Sequence, residues 1–303
     1  VSNGENASRG RGGPPPIADL RTPFTPRVVV LDIDGTLIND NLVINPRTRD
    51  AVRRAAAAHP VVLATGRMYS SALPWALELQ VSLPLVCYQG ALVRELPRGE
   101  TPGRVLFEKG LDSAVAHAAI AIAREHGWHR QAYAKDMLYC EQDRPEAHVY
   151  AAIAQVPIHF VDDLDDVVGN GSTKVVFVSK DPAVVDACIA AMKDGLGDGA
   201  RVTRSMDWFV EVISPRINKA SAVDLVCSGL GLGLRDAVAV GDAPNDIEML
   251  TSAGCGVAVR NARAEVIAAA DATCAGPDDG GVAEVLEYFG LSGSALEAGS
   301  SRR

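Results

Sequence analysis

The chain reads as an α/β protein: a parallel sheet covered by helices on both faces, with a separate α+β domain inserted into it. Three observations predict this. Short continuous runs of aliphatic, largely β-branched residues alternate with helical patterns, as strands buried on both faces do. Polar residues punctuate the ends of those runs. The middle of the chain, residues 90–213, instead mixes polar and apolar residues within its strand-like segments.

The elements follow in order. Residues 1–26, rich in Gly, Pro, Ser and Arg, read as a disordered tail. "RVVVLDI" is the first buried strand. "PRTRDAVRRAAAAH" is a helix, with Asn45 as N-cap and Pro46 at its first position. "PVVLATG" is the second strand and "PLVCYQG" the third, after another helix. The middle holds two clear helices, "LDSAVAHAAIAIAREHG" and "DPAVVDACIAAMKDGLG". Each precedes a strand-like segment, "HRQAYAKDMLYCE" and "ARVTRSMDWFVEVI", and "TKVVFVS" precedes the second helix. The parallel theme resumes with "DAVAVGD", "GCGVAV" and "DATCA". The expected division is a core of residues 27–89 and 214–291, an inserted domain of 90–213, and a second tail of 292–303.

Composition excludes several function classes. A net charge of -9 argues against a nucleic-acid partner, which needs a concentrated basic face. Aromatic residues are only 5%, so the core must be built from Val, Leu, Ile and Ala. No apolar run reaches the length of a membrane span, and no apolar stretch of signal-peptide type follows the N-terminal arginines. The six cysteines form no CxxC pair and sit mostly in apolar segments, which predicts free buried thiols and a cytoplasmic setting. Oligomeric state is not legible.

The stretch "VVVLDIDGTLI" carries the chemistry. Asp32 follows four aliphatic residues directly, and Asp34 shares its face of an extended chain. Two carboxylates there repel each other and resist burial unless paired or bound to a metal. A strand end with both acids in water is the plainer alternative. Taken alone, the stretch leaves both readings open.

Three further polar spots fall at strand ends or helix starts: Thr65-Gly66-Arg67 after "VVLA", Lys219 before "ASAVDLV", and "GDAPND", residues 241–246, after "AVAV". Open parallel sheets bind ligands outside the carboxyl ends of their strands. Each spot has an ordinary reading as a cap or turn. Lys219 fits that reading least, because a cation in the first turn opposes the helix dipole unless an anion faces it. Clustered carboxylates, a hydroxyl and an ammonium suit phosphoryl transfer, which needs positioning and charge stabilisation.

"DIDGTL", "TGR", the isolated lysine and "GDAPND" together resemble the four motifs of the haloacid dehalogenase superfamily. The region from "GDAPNDIEML" to "AADA" is similar to that of its Cof-type phosphatases. The resemblance covers both core segments. It implies a Rossmann-like core, Mg²⁺ as cofactor and a small phosphorylated metabolite as substrate, either a sugar phosphate or a flavin-precursor phosphate. It implies Asp32 as nucleophile and Asp34 as general acid and base. Thr65, Gly66, Arg67, Lys219 and Asn245 would hold phosphate or substrate. Asp32, the backbone carbonyl of Asp34, Asp242 and Asp246 would form or support the metal shell. The acid at Asp34 favours phosphate esters over the dehalogenase and phosphonatase branches.

About 30 residues separate Asp34 from Thr65 and about 150 separate Thr65 from Lys219, so the insertion falls between the second and third motifs. That resembles a type-2 cap. Gln89, Arg216 and Arg260 stand where the family often has Asn, Gly and Gly; the two arginines read either as plain solvated residues, the commoner case, or as a place for a second anionic group. There is no GxSxG elbow or GxxxxGK[ST] loop. The rival readings are a phosphomutase with the same core, a phospho-accepting regulatory module and a catalytically silent homologue.

Overall fold

The computed structural model describes residues 13–206 and 208–293. The chain opens with β1 (Val28–Leu31), α1 (Pro46–Ala58), β2 (Val61–Leu63), α2 (Tyr69–Glu78) and β3 (Leu85–Cys87). Asn45 caps α1 by accepting the Arg47 amide at 2.9 Å, and Pro46 takes the first position. An antiparallel pair follows, β4 (Leu92–Arg94) and β5 (Val105–Glu108). Then come α3 (Ser113–Glu125), β6 (Arg130–Ala134), β7 (Met137–Cys140), α4 (Pro145–Ala154), β8 (Ile158–Phe160), α5 (Leu164–Gly169), β9 (Lys174–Val178), α6 (Pro182–Leu196), β10 (Arg201–Met206) and β11 (Phe209–Ile213). The chain then returns through α7 (Lys219–Ser228), β12 (Ala237–Gly241), α8 (Ile247–Ser252), β13 (Cys255–Val259), α9 (Ala264–Ala269), β14 (Ala272–Cys274) and α10 (Gly281–Tyr288).

The core sheet is parallel, in the order β14-β13-β12-β1-β2. A parallel bridge from Ala64 to Val86 sets β3 beyond β2. Strand order therefore reverses between β1 and β12, the switch point of a doubly wound sheet. Alternation splits the strand residues between two faces. Val29, Leu31, Val238 and Val240 pack on α1 and α10; Val28, Val30, Ala237 and Ala239 pack on α7 and α8. Both faces are covered, so the strands read as unbroken apolar runs.

The second sheet has the order β10-β11-β9-β6-β7-β8, antiparallel except for β7 and β8. The stretch "HRQAYAKDMLYCE" is a hairpin, turning at Lys135 and Asp136, both at positive φ (51° and 59°). "ARVTRSMDWFVEVI" likewise holds two strands, β10 and β11. One face of this sheet carries α3 and α6. The other holds Tyr133, Val176 and Phe209 under α4, and belongs to the same apolar cluster as the core. A third sheet, β3-β4-β5, continues from the edge of the core sheet, with Val93 packed among Val30 and Val62.

The N-terminal segment differs from the tail reading over part of its length. Residues 1–12 lie outside the described residues, as do 294–303 at the other end. Residues 13–26 run along the core: Pro16 bridges to Thr273, Ile17 is fully buried, and Phe24 meets Phe289 edge to face. Three apolar side chains in a Gly/Pro-rich stretch are enough to lay it on the free edge of β14.

Candidate active site

The site forms where β1 and β12 end. Their register pairs Leu31 with Val240, so the next residues of each strand, around Asp32 and Asp242, emerge side by side at the switch point. Asp32, Asp34, Gly66, Arg67, Asp242 and Asn245 all line one cavity of about 580 Å³. Gln89, Tyr150 and Glu211 complete its wall from the side of the second sheet and the β3 loop.

Lys219, the first residue of α7, is buried beneath this cavity. Its Nζ donates to Asp32 Oδ1 at 2.6 Å and to Asp246 Oδ1 at 2.7 Å. The anion that its helix position called for is thus a pair of carboxylates. Asp246 Oδ2 accepts the amides of Asp242 and Ala243 at 3.1 and 3.0 Å, which fixes the turn "GDAPND". Thr65 is fully buried, its hydroxyl accepting the Arg67 amide at 3.1 Å; it lies next to the cavity's residues without lining it. Asn245 donates to Gln89 Oε1 at 2.6 Å, and its own Oδ1 is buried without a partner.

Electrostatics and geometry make this a site that could hold a cation. Burial raises the pKa of Asp32 most; Lys219 pulls it down, while Asp246 and Asp34 push it up, and the result is about 7. Asp242 is raised well above the carboxylate range by burial, then by Asp32 and Asp246. Burial alone would lower Lys219, but Asp246 and Asp32 outweigh it and raise it. One lysine faces three acids. Carboxylate oxygens of Asp32, Asp242 and Asp246 lie within 4.8 Å of one another, and Asp242 Oδ1 is buried without a hydrogen-bond partner. Oxygen donors in that number suit a hard divalent cation. Gly35, at φ 75°, leaves the room this needs, since a Cβ there would stand 2.3 Å from Asp242 Oδ2.

The fold and this acidic cluster together match one family. A model of haloacid dehalogenase-like hydrolases matches residues 29–286. The chain belongs to that family. Similar proteins include the Bacillus subtilis 5-amino-6-(5-phospho-D-ribitylamino)uracil phosphatase YitU, 30% identical over 88% of this chain and 98% of that one. The phosphoglycolate phosphatase of Archaeoglobus fulgidus is 27% identical over 88% of this chain and 99% of that one. A haloacid dehalogenase-like hydrolase from Bacteroides thetaiotaomicron has a similar crystal structure, with a TM-score of 0.76 and 27% identity over 86% of this chain and 98% of that one. The α/β core with an added mixed-sheet cap is the shared architecture, and the motif reading of a Cof-type phosphatase agrees with these matches.

The cap contributes groups that the motifs do not contain. Lys174 on β9 and Glu211 on β11 are buried and paired, Nζ to Oε1 at 2.9 Å. Lys174 also donates to the Gly66 carbonyl at 3.2 Å and lies over the rings of Tyr88, Tyr133 and Tyr150. Gln89 Nε2 reaches Glu211 Oε2 at 3.3 Å, so Gln89 links Asn245 of the core to the cap. Its amide lies over Gly66, where a Cβ would sit 2.5 Å away. Arg216 is exposed; Arg260, also exposed, lines a neighbouring recess with Asp40 and Asp278.

Breaking the buried pair from one side has a definite expected result. Lys174→Met leaves Glu211 buried without its cation and is expected to destabilise the protein by about 3–5 kcal/mol. Lys174→Met with Glu211→Leu removes both charges and is expected to recover most of that loss. Urea unfolding of the two variants measures it; equal losses in both would show that packing, not charge, decides.

Proposed function

We propose that this phosphatase, which acts on small phosphorylated metabolites, hydrolyses a sugar phosphate or a flavin-precursor phosphate through an aspartyl-phosphate on Asp32. One observation carries the reading: Lys219 holds Asp32 Oδ1 from below, while Asp34 lines the same cavity from the next turn of chain. Oδ2 of Asp32 then serves as the attacking oxygen. It bonds to phosphorus as the bond to the ester oxygen breaks, and Asp34 gives its proton to the leaving oxygen. Asp34 next takes a proton from water. The water oxygen bonds to phosphorus and the bond to Asp32 breaks, returning the enzyme and inorganic phosphate.

Thr65, Lys219, the Gly66 loop and Asn245 surround the phosphate in this reading. Asp32, Asp242 and the carbonyl of Asp34 would hold Mg²⁺, with Asp246 fixing Lys219 and the Asp242 turn from behind. The ion offsets the charge of the acids and the phosphate when bound. Residues 27–89 and 214–291 form the core, and residues 90–213 the cap that chooses the leaving group. YitU, by its name, acts on a ribityl phosphate, and its 30% identity supports that substrate class. The six cysteines are free and buried, which supports a cytoplasmic setting. No described helix is long and apolar enough to cross a membrane.

The test is phosphate release from a panel of phosphorylated metabolites, with and without Mg²⁺. Chelation is expected to abolish turnover and added Mg²⁺ to restore it. Full activity in chelator would remove the metal from the scheme, and an isomerised ester in place of free phosphate would mark a mutase.

A further inference from the structure

We infer that Arg67 is a positioning residue for Asp34, and that it holds the Asp34 carboxylate in place through a contact made with the seated cap. This rests on the phosphatase reading above, in which Asp34 moves the proton.

All three guanidinium nitrogens of Arg67 donate within the protein. Nε reaches Asp34 Oδ2 at 2.8 Å and Oδ1 at 3.1 Å, and Nη2 reaches Oδ1 at 2.6 Å. Nη1 reaches the Ser71 hydroxyl at 2.9 Å and the carbonyl of Ile153 at 3.3 Å. Ile153 lies in the last turn of α4, where carbonyls lack helical partners and the dipole is negative. One rigid cationic fork thus joins the carboxylate to the end of a cap helix. Its planar geometry means that a shift at one end is felt at the other. Arg67 is buried, 5% exposed, whereas Asp34 keeps a third of its side chain open to the cavity.

The residues flanking Arg67 are tied to the cap as well. The Gly66 carbonyl accepts from Lys174. The amides of Tyr69 and Ser70, at the start of α2, donate to the Asp136 carboxylate at 2.9 Å each, and the Tyr88 hydroxyl joins them at 2.8 Å. Asp136 stands at the tip of the β6–β7 hairpin, so a cap residue supplies the cap of a core helix whose own N-cap, Met68, offers no side-chain bond. The segment 66–71 is therefore the seat of the cap, and Arg67 is the member of that seat that touches Asp34.

The two roles part on leaving groups. A proton donor matters most for a poor leaving group, so Arg67→Met in the full chain is assayed on the alkyl ester that wild type releases phosphate from fastest in the panel above, and on p-nitrophenyl phosphate. The expected loss in kcat/KM, which reports phosphorylation of Asp32 before the hydrolysis step that both esters share, is on the order of 10²-fold or more for the alkyl ester and below about 10-fold for the aryl ester. Inhibition by inorganic phosphate should stay within about threefold of wild type. Arg67→Lys keeps the charge without the fork and should show the same imbalance in weaker form. Asp136→Ala, which loosens the seat without touching Arg67, should also depress the alkyl ester more than the aryl ester. Equal losses on both esters with weakened phosphate inhibition would overturn the inference in favour of phosphate binding. Equal losses with phosphate inhibition intact would reduce Arg67 to a structural part. An even or absent effect of Asp136→Ala would overturn the link to the cap. No phosphate release by wild type from any ester would instead overturn the phosphatase reading.

Discussion

Asp32→Asn is expected to abolish phosphate release, by a factor on the order of 10⁴–10⁶ as for loss of other enzymic nucleophiles. The amide has nearly the same shape but cannot attack phosphorus or balance Lys219. Folding should not suffer. Asp32 is one of three acids crowded against a single lysine, and Lys219 keeps Asp246 at 2.7 Å. Removing one negative charge relieves repulsion in a buried site, so thermal stability is expected to hold or rise, the usual direction when a strained site is neutralised. Phosphate release and a melting curve on the same preparation separate the two effects. Residual turnover within about tenfold of wild type would exclude Asp32 as nucleophile; a large fall in melting temperature would mean that the ion pair serves the fold first.

The residues at the switch point were legible because each breaks a local rule in the same direction. Acids at the end of an apolar run, a lysine in a first helical turn and an Asp-rich turn after a strand are all costly unless they share a partner. The β1–β12 register brings them to one another. The cap's share was harder to read for a physical reason. Lys174 and Glu211 each stand alone inside an apolar strand, "TKVVFVS" and "FVEVI", and a lone charge there demands a buried counter-ion. That signal was present. Its partner was not readable, because the strands that bring the two together belong to a mixed sheet whose order does not follow the chain. The same holds for Asp136: its turn uses Lys and Asp at positive φ, without the glycine that usually marks a hairpin. Gln89 stood out as a departure from the family pattern, but only the structure reveals that its longer side chain spans from Asn245 to Glu211.

Asp34→Asn is expected to fail differently from Asp32→Asn, in a way that exposes the intermediate. An amide neither gives a proton to the leaving oxygen nor takes one from water. General acid–base help is worth about 10²–10⁴ in rate, so steady-state turnover should fall by about that factor. The fold should hold, because Arg67 keeps Ser71 and the Ile153 carbonyl as partners, and Asn retains one acceptor oxygen for the fork. The two half-reactions should be slowed unequally. With p-nitrophenyl phosphate the leaving group departs as a stable anion and needs little protonation, so phosphorus still reaches Asp32. Hydrolysis of the aspartyl-phosphate needs the base in every case. The phosphorylated protein should therefore accumulate, giving a burst of nitrophenol followed by a slow steady state. Intact-protein mass spectrometry would show the added phosphate, and peptide mapping would place it on Asp32. A variant that turned over normally would dismiss Asp34 as acid and base. Phosphate on any other residue would dismiss Asp32, since the two aspartates of "DIDGT" act in sequence on the same phosphorus.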